Sequence, residues 1–77
     1  MPWFDFDFDY TGNAPSTGKT RNLLTEDLGY DEENIKVVTA VNVQIEGSSA
    51  DNIADAINDD LPITRSGTKY TSIAERE

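Results

Sequence analysis

Gly18, Lys19 and Thr20 close the stretch TGNAPSTGKT (residues 11–20) and are the residues of this chain best suited to holding a phosphate. A loop of the form G-x-x-x-x-G-K-[ST] cradles phosphates with its backbone amides, reaches the outer ones with Lys and holds magnesium with the final hydroxyl. The pattern breaks at its first glycine, because position 13 is Asn13 and Gly12 falls one residue early. The strand before such a loop is buried on both faces, whereas here it carries Asp5, Asp7 and Asp9. The expected role of Lys19 is therefore that of a solvated residue in a turn that leads into a helix.

The carboxylates just upstream suggest a second chemistry. Asp7-Phe8-Asp9-Tyr10-Thr11 resembles the D-x-D-x-T signature of the haloacid dehalogenase-like phosphatases. That resemblance would make Asp7 a nucleophile and Asp9 a general acid, with magnesium between carboxylates. It spans five residues, and the family needs an apolar strand where Asp5 stands, with a later lysine and acidic pair on a much larger sheet. A calcium loop built on Asp5, Asp7 and Asp9 would need Gly at position 10, which is Tyr10. A metal-dependent or nucleotide-binding function through Asp7 and Asp9 or through Gly18–Thr20 is thus the third reading. No catalytic residue and no cofactor is expected.

What remains is the geometry of the acids. Asp5, Asp7 and Asp9 recur every second residue of a strand pattern, about 6.6 to 6.8 Å apart. Asp51, Asp55 and Asp59 recur every fourth residue of a helical pattern, about 6 Å apart. Both rows run at close to twice the roughly 3.4 Å charge spacing along one DNA strand. The helix row does not serve stability: like charges at i and i+4 repel, and Asp59 and Asp60 sit where the helix dipole disfavours anions by about 0.3–1 kcal/mol. Trp3 shares the Asp side of the strand, where an exposed aromatic would be an interface anchor; otherwise it folds over the sheet edge.

The elements that must position these residues are legible in outline. Phe4, Phe6, Phe8 and Tyr10 alternate with Trp3, Asp5, Asp7 and Asp9, which predicts a half-buried strand over 3–10. Residues 11–19 read as a loop, and Leu23, Leu24 and Leu28 predict a short helix over about 20–28 with Gly29 as its stop. NIKVVTAVNVQIE (34–46) reads as one long central strand, with Ile35, Val37, Thr39, Val41, Val43 and Ile45 on one face and Val38 and Ala40 on the other. Ser48 or Ser49 can cap a helix over 50–60 whose stripe is Ile53, Ala54, Ile57 and Leu61, ended by Pro62. The tail reads as a last strand or small hairpin, with a turn at Ser66-Gly67 and Ile73 in the core. The order β-α-β-α-β implies a single α+β domain over residues 1–77, with one three- or four-stranded sheet and two short helices on one face.

Composition then selects among kinds of function. With 77 residues the chain buries only about 60% of the surface its unfolded form exposes. It has no Cys and no His, which removes disulfides, thiolate chemistry, the usual zinc ligands and imidazole catalysis. Fifteen Asp and Glu against six Lys and Arg give a formal charge of -9. Direct binding to nucleic acid or to an anionic membrane is not expected of such a chain, because it runs on Lys and Arg. No apolar run is long enough to span a membrane and no signal peptide is recognisable, so a soluble cytoplasmic protein is expected.

The expected function is non-enzymatic: an acidic protein whose partner presents a basic, nucleic-acid-binding surface, of the kind phages use against CRISPR or restriction systems. Its contact residues would be Trp3, Asp5, Asp7, Asp9, Asp51, Asp55, Asp59 and Asp60. The alternative is a small halophilic or assembly-forming domain, a homodimer among the options, whose acids serve hydration.

Overall fold

Strict alternation builds the first strand, β1 (Trp3–Thr11), and makes it the hub of the sheet. In the computed structural model, which describes residues 2–61 and 67–75, β1 is followed by α1 (Thr17–Asn22), β2 (Ile35–Thr39), β3 (Asn42–Glu46), α2 (Ala50–Asp60) and β4 (Lys69–Glu75). The four strands form one sheet in the order β2-β3-β1-β4, with every neighbouring pair antiparallel. Two split β-α-β units interlock in this order: β3 fills the gap between β1 and β2, and β1 fills the gap between β3 and β4. One sheet with two helices is the expected α+β class.

The main departure from expectation lies in residues 34–46. They form a hairpin, β2 and β3, rather than one strand, and β2 is an edge rather than central, because β1 holds the inner place beside β3. The turn at Ala40-Val41 has no Gly or Pro, and the described non-Gly residues all keep negative φ. Thr39 makes it: its Oγ1 accepts from the amides of Val41 (3.3 Å) and Asn42 (3.0 Å). A register irregularity between Val37 and Thr39 keeps Ile35 and Val37 opposite Ile45 and Val43, but it sets Thr39, expected on the same face, opposite Asn42 and exposed. Val41 leaves the strand, and Val38 on the opposite face is 49% exposed.

Helix caps follow the sequence closely. Ser49 Oγ accepts from the Asn52 amide at the start of α2, and Leu61 is extended, as a residue before Pro62 should be. The first helix begins earlier than expected, at Thr17, with Ser16 Oγ accepting from the Lys19 amide at 3.2 Å. It then widens into a π-helical turn over Leu23–Asp27, and Gly29 ends it with φ +80°. Pro62 and Ser66, the expected helix stop and turn residue, lie outside the described residues.

The core sits between the sheet and both helices. Phe6, Phe8, Ile35, Val43, Ile45, Tyr70 and Ile73 from the strands meet Leu23 and Leu24 from the first helical segment and Ile53 and Ile57 from α2. Phe8 and Tyr70 stack edge to face at 5.0 Å. Gly12 (φ +92°) closes the far end, where a Cβ would lie 2.8 Å from the carbonyl oxygen of Gly67. Since both helices cover one sheet face, the other is left open. Among the described residues no helix is long and apolar enough to cross a membrane.

Candidate interaction surface

The open face is built on β1. Trp3, Asp5, Asp7 and Asp9 project from it by alternation, and the register sets Glu46 beside Trp3, Gln44 beside Asp5 and Asn42 beside Asp7. On the other flank Ala74 and Ser72 of β4 lie beside Asp7 and Asp9. Trp3 is 46% exposed.

Asn42 organises two of the acids. Its side chain is buried, and Nδ2 donates to Asp5 Oδ1 (2.7 Å), Asp7 Oδ1 (3.0 Å) and the Phe6 carbonyl (3.1 Å). The two carboxylates are thus held on one amide, half-buried, with their charges fixed in place. Asp9 is exposed and accepts from Ser72 Oγ at 2.9 Å. Asn42 has no special signature in the sequence, where it is one more polar residue in an alternating run.

The second row lies elsewhere. Asp51, Asp55 and Asp59 are exposed on α2, on the side away from the buried Ile53 and Ile57. Because α2 covers the core face of the sheet, this row and the β1 row look out from opposite sides of the molecule. Asp60 is exposed at the end of α2 and extends the helix row. The sequence treats the eight residues as one set; the fold divides them between two surfaces.

The phosphate-loop residues are committed to structure. Gly18 and Lys19 lie in the first turn of α1, and the amides of Lys19 and Thr20 bond to Ser16 Oγ and the Ser16 carbonyl. The Thr20 hydroxyl is fully buried, 2.5 Å from the Ala40 carbonyl and 2.7 Å from Tyr70 Oη. Since the single Thr20 proton goes to Ala40, Tyr70 donates to Thr20. This chain of bonds ties α1, the β2-β3 turn and β4 together, and leaves no hydroxyl for a metal. Burial pushes the Tyr70 phenol upward.

Among the described residues no group of three or more carboxylates is placed to hold a metal ion, and no buried side-chain nitrogen or oxygen lacks a hydrogen-bond partner. No known protein family, curated protein sequence or solved structure matches the chain.

Proposed function

We propose that this protein is a non-enzymatic inhibitor that presents the acidic row of β1 to a basic groove, occupying the site where a nucleic-acid-handling protein takes DNA or RNA. The observation that supports this most is the Asn42 clamp. Carboxylates already fixed by a buried amide lose little freedom when they meet Lys or Arg, and binding improves as that ordering cost falls. Trp3 at one end of the row supplies an apolar anchor of the type that dominates interfaces. Since the α2 row faces the opposite side, one groove engages one row, and the proposal assigns the β1 row.

The test is competition. The partner is first captured from lysate on the immobilised protein and identified; labelled DNA is then displaced from it by the free protein. Asp5→Asn, Asp7→Asn and Asp9→Asn together keep the shape and accept the Asn42 bonds but remove three charges. Exposed ion pairs contribute about 0.2–1 kcal/mol each, so competition should weaken by up to roughly 150-fold in Kd, about 3 kcal/mol. The corresponding triple change at Asp51, Asp55 and Asp59 should leave it within about twofold. If the partner holds DNA and this protein at the same time, or if the β1 variant competes as well as wild type, the acids are a hydration surface and the proposal is wrong.

A further inference from the structure

The two edges of the sheet are treated differently. On β4, Asn58 of α2 holds the backbone of Ile73 from outside: Oδ1 accepts from the Ile73 amide at 2.7 Å, and Nδ2 donates to the Ile73 carbonyl at 3.3 Å. A side-chain amide thus occupies the place a further strand would take. On β2, no described element pairs with the outer edge. A groove of about 310 Å³ runs beside it, lined by Ile35, Lys36 and Val37 of the strand, Arg21 of α1 and Glu32.

We propose that this groove docks an extended acidic peptide, which joins the sheet as a fifth strand along β2. An uncovered edge presents unpaired amides and carbonyls in a row, and an extended chain satisfies them while side-chain pockets set specificity. Charge identifies the occupant. The whole chain carries -9, yet two of its six cations, Arg21 and Lys36, line this one groove against the single carboxylate of Glu32. An anionic segment is repelled by most of the surface and accepted here, where Arg21 can hold a carboxylate through two parallel bonds. A second copy of the chain fits less well, because it brings its own net -9 to the contact. This site is separate from the open sheet face, and its partner has the opposite charge.

The probe is a peptide of about seven residues alternating Val and Glu, with its Lys-for-Glu counterpart as control. Amide shifts of the full-length protein should move saturably at Ile35–Thr39 with the Glu peptide and not with the Lys peptide. Arg21→Ala should weaken binding at least about fivefold, a readout independent of stability because Arg21 is an exposed helix residue. Methylating the peptide backbone nitrogens at one alternate set of positions should abolish binding, and at the other set should not, since only one side of an added strand faces the protein. Shifts confined to the open sheet face, equal binding of both methylated peptides, or preference for the Lys peptide would each overturn the proposal. So would β2 shifts that depend on protein concentration without peptide, which would give the edge to a second copy.

Discussion

Replacing Asn42 by Ala should cost far more than removing one polar side chain from a strand surface. Nδ2 donates to two carboxylates and to the Phe6 carbonyl, all within 3.1 Å. Hydrogen bonds to charged groups contribute about 1.5–3 kcal/mol and neutral ones about 1 kcal/mol. Three acceptors share two N–H groups, which puts the sum nearer the low end, at about 3 kcal/mol. The loss also removes the amide between the Asp5 and Asp7 carboxylates, which share one nitrogen and so lie within about 6 Å of each other, a repulsion of roughly 0.7 kcal/mol in water and about 2.8 kcal/mol at an effective dielectric of 20. The assay is urea unfolding followed by Trp3 fluorescence and circular dichroism, at about 20 mM and 300 mM NaCl. Asn42→Ala should lose about 3–4 kcal/mol at low salt, and part of that should return as salt screens the pair. Made instead in the Asp5→Asn, Asp7→Asn background, the same change should lose only about 1–2 kcal/mol, since the charge-assisted part is gone. Equal losses in the two backgrounds, or a loss below about 1 kcal/mol in wild type, would show that the amide does not hold the carboxylates, and the preorganisation argued for the β1 row would fall with it.

Two further changes probe the buried hydroxyl chain. Thr20→Val keeps the shape but leaves Tyr70 Oη and the Ala40 carbonyl without partners, so it should cost about 2–4 kcal/mol and lower Tm by more than about 10 °C, whereas Thr20→Ser should cost about 1 kcal/mol. A Thr20→Val melt within a few degrees of wild type would refute the bonding order. The Tyr70 and Tyr30 phenols are both raised from 10.0 by burial, so the stability they contribute is complete below pH 10 and lost as pH rises through their folded values. Thermal melts from about pH 8 to 11.5 should fall at the alkaline end, and Tyr70→Phe should reduce that fall; a flat profile would contradict the sign.

Local signals survive folding well, and that is why the caps and strand faces were legible. Ser49, Gly29 and the β1 alternation over residues 4–8 act through bonds and torsions set within a few residues, and each does in the structure what its type implies; Tyr10, beyond a register shift at Asp9, is exposed rather than packed. The β2-β3 turn was not legible because Thr39 replaces the usual Gly or Asn with a hydroxyl, and VVTAVNV has the composition of an unbroken strand. Residues whose partners are distant in sequence were also missed. Asn42 meets Asp5 across 37 positions, Thr20 meets Tyr70 across 50, and Asn58 bonds the backbone of Ile73 across 15. The eight acidic and aromatic contact residues were readable as a chemical type, but only the packing of α2 on the core face reveals that they form two surfaces.

The position of β1 also sets how the chain can fold. An N-terminal strand paired on both sides needs the last strand as well as the middle one: Phe8 sits opposite Val41 and the β3 turn on one flank and opposite Ile73 on the other. Closing a loop of about 65 residues costs roughly 3.7 kcal/mol of chain entropy, against roughly 1.2 kcal/mol for a four-residue turn. The β2-β3 hairpin and the two helices can form early and locally, but the centre of the sheet waits for β4. High contact order of this kind slows folding. Of the four strands, β1 comes first in the chain and is the last to gain both of its neighbours.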